Sequence, residues 1–556
     1  MLIIANAVAL AMLERRRGLG ILKSVGSTSD TVLSQVLEER TAPIHKEIHL
    51  MQTNKDMNHT HGEEMDGGVT DPFSRDTAGL PDAIAPEVVE LQPDEVFELG
   101  AEQVRKRIGE ATVKMLAYNR SIPGPTLKVA QGSEVTVHFT NDTDLETTVH
   151  WHGLRLDNRF DGVPTGAHQG MMAPVPIGGS FTYRVRFPDP GLYWYHPHLR
   201  EDYTQELGLY APIIVVPTDA SYWSPVNREV TLTLDDILLE GGKIAPFSRT
   251  LSDHTAMGRF GNVMLVNGET SPQLAANQGE VVRLYLVNTA NVRIFNVRLP
   301  GARIKLIGAD NGRVEREEFI EEVLLSPSER VMVDVFFEHA GQFSLEHRTP
   351  ERTYPLATVI VQAQPSEHSF AQEFFTLRTS SELEAERAKI TAEAFRQPDK
   401  TLAIVAEMPG MEHHGGGHHP EAIEWEDTME EMNRMSTPQN MFWKLVDPSS
   451  GAANHAIDWS FTDGDRVKVR IVNAPDSDHP MQHPIHFHGQ RFLVLSRDGI
   501  GTENLAWKDT VLVPAGETVD ILVEMSNPGA WMVHCHIAEH LESGMMFTYH
   551  VQERRV

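Results

Sequence analysis

The stretch His534-Cys535-His536-Ile537-Ala538-Glu539-His540, with Met545 five residues further on, decides how this chain is interpreted. This stretch directly follows a run of small and apolar residues, Gly529 to Val533, that is typical of a buried strand. Because residues two apart in a strand share a face, His534 and His536 point to one side and Cys535 to the other. Cys535 is the only cysteine among 556 residues, which excludes an intramolecular disulfide. The flanking imidazoles favour a metal ligand over a small core residue at this position.

Two internal repeats indicate how the chain is organised. The run ending at His536 corresponds to Gly191-Leu192-Tyr193-Trp194-Tyr195-His196-Pro197-His198 and to Gly341 through Arg348. A turn followed by a strand of alternating faces also occurs three times, and the three copies end at Asn141, Asn288 and Asn473. Short β-rich runs in a repeated order predict an all-β fold. We expect three related β-sandwich domains at residues 90–217, 218–375 and 436–556.

The remaining segments are predicted to lie outside these domains. Residues 376–435 form a linker that contains a helix at 381–396 and a Met/His-rich insertion at 405–435. Residues 41–89 are predicted to be a flexible polar linker. Residues 1–40 form a short helical extension, in which 4–36 resemble a fragment of ABC-transporter permeases, from Ala5-Asn6 through Leu13-Glu14-Arg15-Arg16-Arg17 to Gly26. The fragment is too short to imply a transport function, and we do not expect it to be part of the β-sandwich domains.

Histidines concentrate in the first and third repeats. Ten of the 27 fall into four clusters: His150 and His152; His196 and His198; His483, His486 and His488; His534, His536 and His540. Four HxH pairs supply eight imidazoles, more than one metal ion binds, and imidazole suits copper. Pro197 requires a strand end or an edge in its pair. The second repeat has Glu346 and Arg348 at the corresponding positions, and arginine cannot ligate a cation. The metal site is therefore expected between the first and third domains.

A second site is predicted on the other face of the Cys535 strand. His483, Cys535 and His540 with a weak axial Met545 form the His₂Cys set of a blue-copper electron-transfer site.

These motifs resemble those of the multicopper oxidases, the family of laccases, ascorbate oxidases and copper efflux oxidases, over residues 90–556. The resemblance implies cupredoxin-like Greek-key domains and four copper ions. It implies type 1 copper on His483, Cys535, His540 and Met545, and type 2 copper on His150 and His488. One type 3 ion would take His152, His196 and His536, and the other His198, His486 and His534.

Oxygen reduction also needs protons. The resemblance makes Asp161, eleven residues after His150, the expected relay, although an aspartate before Gly162 also suits a turn. Many bacterial relatives have a glutamate where this chain has Leu541, and Glu539 and Glu542 are the candidate substitutes.

The resemblance implies a laccase-like oxidase that takes single electrons from phenols or aromatic amines and reduces dioxygen to water. One alternative is a metallo-oxidase of Cu(I), favoured by the Met/His-rich insertion, because thioethers prefer Cu(I). Another is a copper-binding electron-transfer protein without oxygen chemistry, which would leave eight histidines unexplained. The formal charge of −30 argues against a nucleic-acid partner. No run reaches the apolar length of a membrane span. The resemblance implies a periplasmic or extracellular enzyme, whereas the N-terminus lacks the charge order of a signal peptide.

Overall fold

The computed structural model describes residues 71–166, 170–390, 396–409 and 422–555. The predicted helical extension at 1–40 and the permease-like fragment lie outside these residues. Strands dominate the described chain and assemble into three successive pairs of larger sheets, which confirms the all-β prediction. The domain boundaries remain predictions, and the sheets are described below in chain order.

The first pair of sheets contains nine strands: β1 Val88–Leu91, β2 Val96–Ile108, β3 Ala111–Tyr118, β4 Thr126–Ala130, β5 Glu134–Asp142, β6 His150–His152, β7 Ser180–Arg186, β8 Gly191–His196 and β9 Ala211–Val216. They form a four-stranded sheet in the order β3-β2-β5-β7 and a five-stranded sheet in the order β1-β4-β9-β8-β6. Side chains of both sheets share one hydrophobic core. Strand β8 stops at His196, directly before Pro197, as the proline requires.

The second pair contains thirteen strands: β10 Arg228–Ile237, β11 Leu239–Glu240, β12 Lys243–Ile244, β13 Val263–Val266, β14 Gln273–Gln278, β15 Val281–Asn288, β16 Phe295–Arg298, β17 Arg303–Ala309, β18 Gly312–Ile320, β19 Glu322–Leu325, β20 Arg330–Phe336, β21 Gly341–Arg348 and β22 Thr353–Pro365. Its two large sheets have the orders β13-β10-β15-β20-β17-β18 and β14-β22-β21-β16-β19, while β11 and β12 pair separately.

The third pair also contains thirteen strands: β23 Lys400–Glu407, β24 Phe442–Asp447, β25 Ala452–Ala453, β26 Trp459–Thr462, β27 Asp465–Asn473, β28 His483–Phe487, β29 Arg491–Arg497, β30 Ile500–Gly501, β31 Trp507–Lys508, β32 Thr510–Val513, β33 Thr518–Met525, β34 Gly529–Cys535 and β35 Met546–Gln552. One sheet runs β25-β24-β23-β27-β33-β29-β30 with β31 beside β29, and the other runs β26-β35-β34-β28-β32.

The repeat found in the sequence is a repeat of strand pairing. Strands β5, β15 and β27 each have one parallel partner, β2, β10 and β23 respectively, and one antiparallel partner. The asparagine at the end of each strand is buried and donates to two backbone carbonyls. Asn141 binds Leu145 and Val175, Asn288 binds Arg293 and Leu325, and Asn473 binds Met481 and Val513, all at 2.7–3.0 Å. The same buried polar group therefore fixes the loop after the strand in all three repeats.

The helices are short: α1 Glu201–Thr204, α2 Ala371–Phe375, α3 Ser381–Ile390, α4 Glu430–Met435 and α5 Ala538–Glu542, with 3₁₀ turns at Asn158–Phe160 and Asn454–Ala456. Helix α3 confirms the predicted helix as far as Ile390, and residues 391–395 lie outside the described chain. Helices α1 and α5 pack together and follow the two strands that end in histidine motifs, β8 and β34.

Two predicted linkers are partly wrong. Residues 400–407 were assigned to a linker, but they form β23, which pairs with β24 and β27 because its buried alternate residues complete the third core. Residues 71–89 were assigned to a flexible linker, but Phe73 is buried and stacks on Tyr203, with ring centroids 3.8 Å apart. Backbone bridges from Asp82 to Arg105 and from Ile84 to Ser121 hold the segment as well.

Candidate metal centre

Eight imidazoles from the HxH pairs meet in one buried cluster. Their ligand atoms fall into groups within 4.8 Å of one another: His150, His152 and His486; His152, His196 and His536; and His198, His488 and His534. Every one of these side chains is at most 1% exposed. Each group combines residues of the first and third repeats, and within the described chain no group of potential ligands includes a residue of 218–375.

The first triad is held by β6, β8 and the end of β34. Nδ1 of His152 faces Nε2 of His196 at 3.4 Å, while Nε2 of His152 donates to a carboxylate oxygen of Asp509 at 3.0 Å. Nδ1 of His196 donates to the Pro197 carbonyl at 2.7 Å, which leaves its Nε2 directed into the cluster. His152 thus presents Nδ1 where His196 presents Nε2.

The second triad differs from the expected one. Nε2 of His488 lies 3.3 Å from Nε2 of His198 and 3.0 Å from Nε2 of His534, so His488 completes this group. The expected assignment put His486 in this triad and His488 at the type 2 position, and it stays a prediction. His488 forms one ligand group with His198 and His534 and another with His150 and Asp161. The two histidines share one face of a strand, and spacing alone cannot tell which of them reaches which neighbour. Strand β28 ends at Phe487, and His488 lies beyond it.

His486 forms a further ligand group with His150 and His152. Nδ1 of His150 donates to the Asp161 carbonyl at 2.7 Å, and Nδ1 of His486 donates to the Asp509 carbonyl at 2.9 Å. The Nε2 atoms of both rings are buried and have no hydrogen-bond partner in the protein. Buried polar atoms normally have partners, so two orphaned imidazole nitrogens beside each other indicate a ligand site.

The second site lies on the other face of β34, as predicted. Sγ of Cys535 lies 3.5 Å from Nδ1 of His483 and 3.7 Å from Nδ1 of His540, and these two Nδ1 atoms are 3.3 Å apart. The Ile537 N–H also points at Sγ, at 3.4 Å. Met545 is fully buried in the same core, and its carbonyl accepts the Cys535 N–H.

Trp443 also belongs to this site, although no sequence pattern predicted it. Its ring centroid is 4.6 Å from that of His483 and 4.3 Å from that of His540, and its Nε1 donates to the Thr255 carbonyl. The indole covers both imidazoles, which have no exposed surface.

The protonation states suit metal binding. Burial lowers the pKa of the cluster imidazoles His196, His488, His534 and His536 well below their ordinary range, and lowers that of His483 to about 3. Neutral imidazole is the form that ligates metals. Burial raises the pKa of the Cys535 thiol, and a coordinated cation would favour the thiolate. The donor set of imidazoles and one thiolate fits copper ions.

Of the three predicted carboxylates, only Asp161 contacts a cluster imidazole directly. Asp161 is buried, and its Oδ2 accepts from Nδ1 of His488 at 2.9 Å. Glu542 reaches the cluster only indirectly, because its Oε1 accepts the backbone N–H of Glu201 at 3.1 Å. Burial raises the pKa of Glu542 to about 7 and that of Glu539 to about 8. Glu539 is buried among acidic side chains and no described contact joins it to the cluster imidazoles.

Glu201 was missed by the sequence analysis. Its Oε1 lies 3.4 Å from Nδ1 of His198 and its Oε2 lies 4.0 Å from Nδ1 of His196. Burial and then the neighbouring Glu542 raise its pKa well above the ordinary value. The signal was present, because an acidic residue follows the His196-Pro197-His198 motif by three positions at the start of α1. Glu201 therefore places a buried carboxylate beside two cluster imidazoles.

No helix of the described residues has the length and apolar character required to cross a bilayer.

Comparisons with known proteins agree with this geometry. Family models described as multicopper oxidase match residues 101–220 and 426–555. The chain is similar to multicopper oxidase MmcO of Mycobacterium tuberculosis, with 27% identity over 80% of this chain and 85% of that protein. It is similar to multicopper oxidase mco of Staphylococcus epidermidis, with 26% identity over 84% and 92%. The solved structure of a multi-copper oxidase from Pseudomonas Thermotolerans matches with a TM-score of 0.60 and 26% identity, over 84% of this chain and all of that one, which confirms the cupredoxin-like fold class.

Proposed function

The chain belongs to the multicopper oxidases, and from that premise we propose how its residues carry out the reaction. The enzyme is a copper-dependent oxidoreductase that uses dioxygen as acceptor and binds four copper ions. The observation that carries the proposal is the convergence of eight imidazoles on one side of β34 and a His₂Cys set on the other. Either site alone would serve a copper carrier, but both together suit an oxidase.

The proposed ligands follow the observed groups. Type 1 copper takes His483, Cys535, His540 and the axial Met545. Type 2 copper takes His150 and His486. The type 3 ions take two triads, His152 with His196 and His536, and His198 with His488 and His534. The assignment is supported by the orphaned Nε2 atoms of His150 and His486 and by the short contacts within each triad.

When bound, the copper ions store single electrons and supply them to dioxygen, which needs four electrons and four protons to become two waters. The protein connects the two sites covalently, because Cys535 is bonded to both His534 and His536. The backbone carbonyls that accept from Nδ1 of His150, His196 and His534 keep their Nε2 atoms turned inward. Burial lowers the pKa of His196 and of His534 and so keeps these two rings neutral.

Carboxylates supply the protons in this proposal. Asp161 contacts His488 on one side of the cluster, and Glu201 contacts His198 on the other, with Glu542 behind it. Glu539 lies on the same helix as Glu542, and no described contact joins it to a cluster imidazole. Replacing Asp161 with Asn should therefore lower turnover while copper content stays at four ions per chain.

We expect the reductants to be phenols and aromatic amines, oxidised by electron transfer through His483 or His540. Both imidazoles are buried under Trp443, so the substrate passes its electron without direct contact with copper. A cavity of about 670 Å³ near this side is lined by His254, Asp427 and Phe260 among others. Asp427 acts electrostatically on His479, whose ring is 6.0 Å from that of Trp443.

A second candidate substrate is Cu(I). The same cavity is lined by five acidic side chains and three arginines: Glu240, Glu426, Asp427, Glu430 and Glu431, with Arg293, Arg352 and Arg434. Arg293 pairs with Glu426, and the remaining acidic excess favours a cation. Met408 and Met429 pack against the core that contains Cys535. Thioethers beside acidic side chains suit a soft monovalent ion better than a phenol. The histidines and Met411 of the predicted insertion lie outside the described residues.

The central experiment measures copper content and oxygen uptake of the copper-loaded protein. About four coppers per chain with reductant-dependent oxygen uptake supports the oxidase. One copper with no oxygen uptake would instead support the electron-transfer alternative.

The substrate class is tested with Glu430→Gln/Glu431→Gln against Glu321→Gln/Glu322→Gln, a pair with the same charge change at the exposed start of β19 in the middle sheets. A selective loss of Cu(I) oxidation in the first pair supports the metallo-oxidase. Equal rates in both pairs support the phenol oxidase. Met429→Leu, which conserves volume, separates the thioether from packing.

We propose that the enzyme acts outside the cytoplasm, in the periplasm or extracellularly, as the family resemblance implies. Fractionation of cells that produce the full chain would test this.

A further inference from the structure

Arg330 is a fully buried guanidinium at the start of β20, in the middle pair of sheets. Its Nη1 and Nη2 donate to the two carboxylate oxygens of Asp509 at 2.7 and 2.6 Å. Its Nε donates to the Leu192 carbonyl at 2.8 Å, and Nη1 also donates to the Ser328 carbonyl. A bidentate arginine–carboxylate pair fixes direction as well as distance. One side chain therefore contacts all three repeats at their junction.

Asp509, held by Arg330, forms hydrogen bonds with two cluster imidazoles. Its Oδ1 accepts from Nε2 of His152 at 3.0 Å, and its backbone carbonyl accepts from Nδ1 of His486 at 2.9 Å. Because Nε2 of His152 is engaged outward, Nδ1 of that ring is the atom turned toward His196. Burial alone would raise the pKa of Asp509, but the charge and hydrogen bonds of Arg330 hold it well below its ordinary value.

The backbone at Gly153 passes directly against this ion pair. Gly153 directly follows His152 and has a φ of +83°. A Cβ at this position would lie 2.4 Å from Oδ2 of Asp509 and 2.9 Å from Nη2 of Arg330. The chain therefore passes against the ion pair at a distance that only glycine allows.

We propose that Arg330 is a positioning residue for the trinuclear copper site: by clamping Asp509 it sets the ring orientation of His152 and His486. The middle sandwich, which supplies no ligand to the cluster, thereby controls its geometry. Partners of metal-ligating histidines fix ring orientation and affect metal affinity in this way. The inference rests on the ligand assignment proposed above.

The chain contains a matched control for this pair. Arg283 on β15 also forms a bidentate pair, with Asp334 on β20, in which Nε and Nη2 donate at 2.9 and 3.2 Å, and both side chains are buried. No described contact joins that pair to a cluster histidine. Arg283→Met and Arg330→Met each remove one buried guanidinium and leave one buried carboxylate unpaired. Both variants should therefore lose a similar amount of thermal stability, which isolates the effect on copper.

The experiment compares the two variants after copper loading, by copper content under chelator competition and by EPR and absorption spectra. Arg330→Met should keep the type 1 signal, weaken copper retention at the cluster about 10- to 100-fold, and alter the type 2 EPR signal. Arg283→Met should keep all signals. Identical cluster spectra and copper retention in the two variants would overturn the proposal.

If Arg330→Met does not fold, Arg330→Lys carries the test, because it keeps the charge and loses the bidentate geometry. A shifted type 2 signal with intact type 1 colour supports positioning, and an unchanged signal overturns it. Failure of the proposed oxidase function would appear differently, as fewer than four coppers in the unaltered protein, and a wrong ligand assignment would appear as exchanged spectra of His486→Ala and His488→Ala.

Discussion

Strands β34 and β21 occupy equivalent places in their sheets but differ in chemistry. Strand β34 pairs with β35 and β28, and β21 pairs with β22 and β16. In the third sandwich Ile485 lies opposite Cys535 and His486 opposite His534, while in the middle one Val297 lies opposite His347 and Arg298 opposite Glu346. The registers therefore coincide residue by residue.

Transferred through this register, each metal ligand has a counterpart in the middle sandwich that cannot complete a site. His347 stands where Cys535 stands, and Phe295 stands where His483 stands, with ring centroids 5.2 Å apart. His347 is buried, and its Nδ1 accepts the backbone N–H of Asn296 at 3.0 Å. Sheet order, register and the buried asparagine recur in the middle sandwich, whereas the metal ligands of the described chain lie in the first and third repeats. The comparison teaches that the scaffold and the metal chemistry are separable.

The largest expected effect separates these two strands directly. Cys535→Ser should abolish the blue colour and lower reductant oxidation to background, because the thiolate is the ligand that defines the type 1 site. Copper content should fall to about three ions per chain. His347→Ser, at the equivalent position, should leave colour and turnover unchanged. Activity retained by Cys535→Ser would refute the electron route.

The next effect concerns strand β28 and its counterpart β16. His486→Ala and His488→Ala should each lower oxygen reduction by at least about 100-fold. They should differ spectroscopically: the first should lose the type 2 EPR signal, and the second should lose the absorption of the type 3 pair. Arg298 occupies the position in β16 that is equivalent to that of His486 in β28. Arg298→Ala should change neither the type 2 EPR signal nor the absorption of the type 3 pair. The reverse spectroscopic pattern would restore the assignment that the resemblance implied.

A smaller effect is shared by both sandwiches. Asn288→Ala and Asn473→Ala each leave two buried carbonyls without their donor, which should cost about 2 kcal/mol of unfolding free energy in either repeat. Denaturant titration of the copper-free protein measures this without stabilisation by bound metal. A loss confined to Asn473 would mean that the scaffolds are less alike than their register suggests.

The smallest effect is a pH dependence of the middle sandwich. Burial and then Arg293 lower the pKa of His347 to about 3. The unfolded chain binds a proton near pH 6.5 while the folded chain does not, so stability is lost as the pH falls below that value. Between pH 7 and 5.5 the contribution is about 1 kcal/mol. The side chain of His347→Asn can still accept from the Asn296 N–H but does not titrate. Between pH 7 and 5.5 the free energy of unfolding of this variant, measured by denaturant titration, should therefore fall by about 1 kcal/mol less than that of the unaltered protein.

The sequence was sufficient for those features that depend on local spacing. Alternation in β34 assigned Cys535 and its two flanking histidines to opposite faces, and the three turn-and-strand runs indicated the repeated sandwich. The clusters of histidine were dense enough to locate both metal sites. The anchoring of Phe73 and the pairing of β23 were missed because both depend on partners far along the chain.

Long-range partners also explain what was missed at the site. His486 and His488 share a face and a spacing, so only their neighbours from other strands distinguish them. Asp509 contacts His152 across 357 positions, and Arg330 contacts Asp509 across 179. No periodicity connects such positions, because the contacts arise only when separate sandwiches dock.

The convergence of His198 with His488, 290 positions apart, has a consequence for biosynthesis. At typical rates of translation the early histidines leave the ribosome roughly 15 to 60 s before the later ones exist. During that interval the nascent chain offers copper only isolated imidazole pairs, which are weak and unselective chelators. The copper cluster can therefore assemble only after the complete chain has been synthesised and its first and third repeats have come together.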